Sequence, residues 1–268
     1  MSSQLSISYT TLSNYLTAWR LKVNDDKTHV MLLTTSQNRK RNNLTMTVRT
    51  GQTEQNTSEV EKLLGLQVHQ DLKFREHLVT NTQSVTKMIR AKISAMKMLQ
   101  GSCSRDQLLH LYHGLVGSRL SYLSSVWGGT ENNILDALQK LQNQALRIVC
   151  RKGRYYQERL LLHETRTLSV RQMVDYFSIL QARRVIETRE PEYLYGRLVS
   201  NERVRPETRH AGLGDHPVSR ITLVSSGWVR RVDRLWRELP RHLVNEPTYL
   251  SFKSKLRNHL SNNNIPNT

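Results

Sequence analysis

The chain has 268 residues, with 40 Lys and Arg against 22 Asp and Glu, a formal net charge of +18. Hydrophobic residues make up 37% and aromatics 6%, a lean but not disordered composition that predicts an aliphatic core in one large domain or two smaller ones. A basic excess spread along the whole length raises the local concentration of polyanions, which favours nonspecific binding of RNA or DNA over a membrane surface.

Leu12, Tyr15, Leu16 and Trp19 recur at helical spacing and predict a helix over 11–21 with one apolar face. Asn24, Asp25 and Asp26 interrupt it, 29–34 reads as a short buried strand, and 38–43 as a basic polar turn. Leu44, Met46 and Val48 alternate with threonines, the period of a half-buried strand. After a turn over 51–58, Leu64, Leu66 and Val68 alternate again. Beyond Asp71 the period becomes helical. Leu78, Val85, Met88, Ile89, Met96 and Leu99 mark a helix over 74–100 that stops at Gly101.

Ser104 is the expected N-cap of the next helix, whose face is Leu108, Leu111, Tyr112 and Leu115. Gly128-Gly129 breaks the chain. Ile134, Leu138, Leu141, Ala145 and Ile148 then form an amphipathic helix, closed by the basic loop Arg151-Lys152-Gly153-Arg154. A fifth helix starts at Ser169, carries Val170, Val174, Phe177 and Val185, and ends before Pro191. The segment 202–217 has no clear period and reads as a long loop, 249–260 as a last helix, and 262–264 as a frayed tail. The expected fold is α+β: a small antiparallel sheet with one helix, then a predominantly α-helical array.

The residues that could carry chemistry do not assemble into a self-contained site. Two-metal phosphoryl transfer needs carboxylates that converge from separate elements, whereas the neighbours Asp25 and Asp26 point to opposite faces of an extended segment. His110 and His113 sit three apart on a helix without a third ligand at metal spacing. Cys103 and Cys150 form no ligand set and read as buried thiols of a reducing compartment. There is no nucleophile elbow and no phosphate-binding P-loop. With no secretory signal and no apolar run near the ~18 residues of a membrane span, the expectation is a soluble protein of the cytoplasm or nucleus.

More informative are strings of residues in a fixed order. Trp19-Arg20-Leu21-Lys22-Val23-Asn24-Asp25-Asp26-Lys27-Thr28 comes first, followed by Lys62-Leu63-Leu64-Gly65-Leu66 and Asp71-Leu72-Lys73-Phe74 with His77. Then come Tyr122-Leu123-Ser124-Ser125-Val126-Trp127-Gly128 and a helix with Leu138, Gln142-Asn143, Leu146-Arg147 and Ile148. Pro191-Glu192-Tyr193-Leu194 is next, and Leu235-Trp236-Arg237-Glu238-Leu239-Pro240 before Phe252-Lys253 closes the series. This order resembles the distal palm, thumb and trailing helical region of reverse transcriptases from non-long-terminal-repeat retrotransposons, over almost the whole chain.

The resemblance implies a palm-like segment over 1–72, a thumb-like helical domain over 73–160 and a helical extension over 161–268. In the family, an RNA-directed DNA polymerase, a catalytic Tyr-x-Asp-Asp hairpin precedes the helix that contains Trp19. The chain as given opens without it. The expectation is therefore a fragment that is non-catalytic by itself, with Mg²⁺ required only by a full-length parent. Lys27 takes the leaving-group position, and Leu64 and Gly65 the strand that grips the primer. Lys87, Arg90, Lys92 and Lys97, together with Arg147, Arg151, Lys152 and Arg154, are the candidates for contacts with template–primer phosphates, which carry no sequence information. The alternative is a stand-alone helical protein-interaction module with no nucleic-acid role.

Overall fold

The computed structural model describes residues 2–42, 47–50, 53–199 and 227–262. Packing divides the chain into two compact units, Met1–Thr80 and Asn81–Thr268. Helices predominate, with two antiparallel two-stranded sheets, as the α+β expectation requires. No helix among the described residues is long and apolar enough to cross a membrane.

In the first unit, α1 (Ser2–Ala18) begins well before position 11. Its hydroxyls make this possible: Thr10, Thr11 and Thr17 donate to the carbonyls of Ser6, Ile7 and Ser13, so polar residues sit in the helix with their groups satisfied. It stops where Arg20 takes a left-handed φ of 59°. The segment 29–34 is not a strand. Two isolated backbone bonds, Ser58 N–H to Val30 at 2.8 Å and Thr34 N–H to Gln70 at 3.2 Å, take the place of a ladder. The residues expected to form a basic turn belong instead to α2 (Ser36–Asn42), where the Thr35 hydroxyl accepts the Asn38 N–H. Lys40 and Arg41 then suit the negative pole of its last turn, while Arg39 reaches back to the Thr34 carbonyl and to Asp71 at 2.7 Å.

Strands β1 (Thr47–Thr50) and β2 (Thr53–Asn56) pair with Val48 opposite Gln55, so β2 occupies part of the expected 51–58 turn. Val48 is buried; Leu44 and Met46 lie outside the described residues. Strands β3 (Val60–Leu63) and β4 (Leu66–His69) pair in register from Val60–His69 to Leu63–Leu66. A π-helical turn, Glu76–Thr80, ends the unit and buries His77 and Leu78.

The second unit opens with α3 (Val85–Leu99). The expected helix over 74–100 is thus broken, because the Asn81 side chain accepts the Gln83 N–H in a local turn and Ser84 is extended. Helix α4 (Arg105–Tyr112) runs through a π-helical turn, His113–Gly117, into α5 (Ser118–Ser121). The extra residue of that turn rotates the face, so that Val116 and Leu120, rather than Leu115, are enclosed. Helices α6 (Ser124–Trp127), α7 (Asn132–Cys150), α8 (Glu158–Thr165), α9 (Val170–Thr188) and α10 (Glu192–Val199) follow. Helices α11 (Trp228–Glu238), α12 (Arg241–Val244) and α13 (Tyr249–Asn262) complete the unit. The predicted 202–217 loop and positions 263–264 lie outside the described residues, and Asn262 belongs to α13.

Reciprocal capping boxes start α4 and α9. The hydroxyls of Ser104 and Ser169 accept the N–H groups of Gln107 and Gln172, whose side chains bond back. Helix α9 packs against α5, α6, α7, α10, α11 and α13 and buries residues on several sides, from Val170 and Tyr176 to Ala182 and Val185. Residues on both sides of position 160 therefore share one unit. Trp127, Tyr112, Phe252, Ile89 and Leu138 are fully enclosed, each worth about 1.5–3 kcal/mol of transfer free energy for its apolar part. Helices α7, α8 and α9 all end on an arginine in the left-handed region, Arg151, Arg166 and Arg189, with φ of 53°, 49° and 58°.

Candidate functional site

The ordered motifs form compact local structures. In the first, the Asn24 side chain accepts the Lys27 N–H at 3.2 Å and Thr28 Oγ1 donates to the Asn24 carbonyl at 2.8 Å, closing a single 3₁₀ turn, Asp25–Lys27. Lys27 is exposed on that turn. The Tyr9 hydroxyl donates to Asp25, which joins α1 to the same turn. Trp19, the last residue of the predicted apolar face, is 67% exposed.

Leu64 and Gly65 are not strand residues. They form the two-residue loop between β3 and β4, with φ of 49° and 85°. Positive φ at both loop positions is the type I′ geometry whose twist matches the flanking strands, and glycine meets it without strain. Leu64 is 80% exposed at the tip. His77, the histidine of the third motif, is buried, and desolvation lowers its pKa.

In the second unit, the Trp127 indole N–H donates to the Tyr122 carbonyl at 2.8 Å and the ring is enclosed, so the Tyr122–Trp127 spacing makes a closed turn. The polar residues of α7 hold helices together. Gln142 Nε2 donates to the Tyr112 hydroxyl and the Leu168 carbonyl, both at 2.8 Å, and burial pushes the Tyr112 pKa up to about 12. Asn143 Nδ2 donates to Glu158 at 2.6 Å. Near the end of the chain, Trp236 packs against Phe252 with ring centroids 6.1 Å apart. Arg183 lies over the other aromatic partner, Phe252, while donating to the carbonyls of Val244 and Glu246.

The candidate cations are brought together in part. Lys87, Arg90, Lys92 and Lys97 are all exposed on α3. At about 100° per residue, Lys87, Arg90 and Lys97 share one face roughly 15 Å long, whereas Lys92 falls on the opposite flank. The C-terminal ends of α3 and α7 are tied by hydrogen bonds. Gln100 Nε2 donates to Ile148 O at 3.1 Å, and Arg151 donates to the carbonyls of Gln100 at 3.3 Å and Cys103 at 2.9 Å. Lys97 therefore stands at the same end of the unit as the 151–154 loop.

Within that loop the four cations divide by role. Arg147 is half-buried and donates to the Tyr156 carbonyl at 3.1 Å, and Arg151 closes two carbonyls; both bond the fold to itself. Lys152 sits 4.8 Å from the centre of the Tyr156 ring, and Arg154 extends into solvent beside Tyr155, which is 92% exposed. Beneath them Tyr156 donates to Glu164, a bond that lowers the Glu164 pKa, and Arg105 lies 3.7 Å from the same carboxylate. The outward cations are thus Lys97, Lys152 and Arg154.

Among the described residues no three His, Cys, Asp or Glu side chains converge as a metal ion requires. His110 Nδ1 bonds the Asp106 carbonyl at 2.8 Å, and His113 packs edge-on against Tyr112. Cys103 and Cys150 are free thiols, half-buried and not enclosed as expected, and burial raises the pKa of Cys150. Sequence reasoning missed a second basic cluster, formed by Arg171, Arg230, Arg231 and Arg234. Its members come from two helices separated by a long stretch of chain, so no local run announces them. No family model, no curated protein and no solved structure matches the chain.

Proposed function

We propose that the chain is a reverse-transcriptase-related segment that binds the phosphate backbone of template–primer or other nucleic acid nonspecifically, without polymerising by itself. The observation that carries this reading is the joined end of α3 and α7, where Lys97, Lys152 and Arg154 face outward around the exposed Tyr155. The order of the motifs along the chain supports it, as does the charge of +18. Cations contact phosphates without reading bases, and an exposed ring offers a stacking surface for any base.

The test is a salt titration of binding to a primer–template duplex. Affinity is expected to fall steeply between low and physiological salt, with a log–log slope of about −0.9 per phosphate neutralised. Replacing Lys152 and Arg154 by Gln should reduce that slope by about 2. Affinity that persists at high salt, or dNTP incorporation by the chain, overturns the reading.

A second reading, a protein-interaction module, draws on one observation. Leu5, Leu12 and Tyr15, spaced along one face of α1, are all exposed, as is Trp19 just beyond its end. Nucleic-acid binding that is absent, or insensitive to replacement of Arg147, Arg151, Lys152 and Arg154, favours it.

A further inference from the structure

We infer that the groove between the turn that follows α6, helix α9 and helix α11 is a binding site for a phosphate-bearing ligand. The site is separate from the α3–α7 surface and stands whether or not that surface binds nucleic acid. Four arginines line it, Arg171 from α9 and Arg230, Arg231 and Arg234 from α11, with Asp175 as the one carboxylate among the described lining residues. The cavity is about 540 Å³, in the range of small-ligand clefts.

Each wall has a physical basis. Arg230 and Arg234 are one turn apart on α11 and share a face, with Arg231 beside them. Arg171 is fixed in place by the side chains of Asn132 and Asp136, each at 2.8 Å. Arg237 of the same α11 turns instead to Asp233, at 3.0 Å. The floor is Gly128, which is buried. A Cβ there would strike the Val174 side chain and lie 2.6 Å from both Arg231 Nη1 and the Ser124 carbonyl. Only a residue without a side chain lets the Arg231 guanidinium come so near the backbone turn.

The charge balance points to an anion carrying more than one charge. Asp175 offsets part of the positive field, and burial holds its carboxyl above the usual range against the pull of Arg231, Arg234 and Arg171. Like charges held around one partly desolvated space repel each other, and an anion among them turns that repulsion into attraction. Guanidinium forks match pairs of phosphate oxygens. Arg171 is paired with Asp136, so the forks of Arg230 and Arg234, one turn apart, carry the recognition, and two such forks fit a pyrophosphate or nucleotide phosphate better than a lone carboxylate.

The rival account is structural, with Arg231 and Asp175 simply holding α11 on α9. Calorimetry on the full chain at constant ionic strength separates the two, with inorganic pyrophosphate, ATP and a 5′-phosphorylated oligonucleotide as probes. Pyrophosphate is expected to bind, and the double variant Arg230→Gln/Arg234→Gln to weaken it at least tenfold with thermal unfolding unchanged. The double variant Lys152→Gln/Arg154→Gln should leave pyrophosphate binding intact, so failure of the α3–α7 surface and failure of the groove are read separately. If the arginine variant weakens the oligonucleotide as well as pyrophosphate, the phosphate belongs to nucleic acid; if it weakens pyrophosphate and ATP but not the oligonucleotide, the ligand is a free nucleotide. No pyrophosphate binding, or equal binding by the arginine double variant, overturns the assignment.

Discussion

Residues 81–268 enclose Trp127, Tyr112, Phe252 and a long series of leucines, and their buried polar groups, such as Gln142, are hydrogen-bonded across helices. Residues 1–80 present the reverse picture. Among their described apolar side chains Val48, Leu66 and Leu78 are buried, while Tyr15, Trp19, Leu21 and Leu64 stand in solvent. Both segments have the same kind of sequence pattern, yet only one converts its apolar period into a core. Regular secondary structure is therefore no measure of local stability: a helix whose apolar side chains stay exposed gains little from packing and leans on its own weak propensities.

Core truncation should expose the contrast most strongly. Leu138→Ala, at a fully enclosed position, is expected to cost about 2–5 kcal/mol in chemical denaturation. Leu12→Ala, at a position 53% exposed, should stay within about 0.5 kcal/mol. Similar losses for both would show that the α1 face is covered in solution and would erase the distinction between the units. Hydrogen exchange on the full chain should likewise show faster opening in β1–β4 than in α7 and α9.

Acid should loosen the end of the first unit. Burial lowers the pKa of His77 below its ordinary 6.5, so between the folded and unfolded values the unfolded chain holds more protons. Stability contributed by the neutral imidazole is complete above about pH 6.5 and is lost as the pH falls through that window. The opening free energy at Leu78 and in β4, read as exchange corrected for the intrinsic pH dependence of amides, is expected to fall from pH 7 to pH 5, and His77→Gln should flatten that response. An unchanged pH profile in the variant would assign the acid response to another group.

A small net effect is expected at the end of α7. Arg151→Gly removes the cost of a left-handed side-chain residue, about 1–2 kcal/mol, but also loses the bonds to Gln100 and Cys103. The two terms nearly cancel, leaving a net change under about 1 kcal/mol. A larger loss in denaturation would identify the α3–α7 tie as a main support of the second unit.

The helices of the second unit were legible because their apolar residues recur at the right period and because Ser104 and Ser169 carry capping signals. The period could not say what each face would meet. The face of α1 is legible as apolar, but its exposure is not, since burial depends on a partner that periodicity does not specify. The hairpin loop at Leu64-Gly65 was hidden by an alternating pattern that continues across it from Leu64 to Val68. Helix α8 was missed because its Leu160–Leu162 run follows the basic loop without a cap. The cluster at 147–154 was visible as a run, although its split into two cations that bind carbonyls and two that do not needed the fold. The arginine groove was invisible for a plainer reason: tertiary packing alone brings 128, 171 and 230–234 together.

The arginine stops of α7, α8 and α9 have a further consequence. Helix ends of this kind usually take glycine, which is less strained there. With Arg151, Arg166 and Arg189 in that place, each helix gives up backbone comfort for a cation at its electronegative pole. The side chains then serve other elements: Arg151 donates to the carbonyls of Gln100 and Cys103, and Arg189 lies over the Tyr195 ring. At each of the three a glycine would relieve the backbone and, in the same exchange, remove a cation from the negative end of a helix dipole.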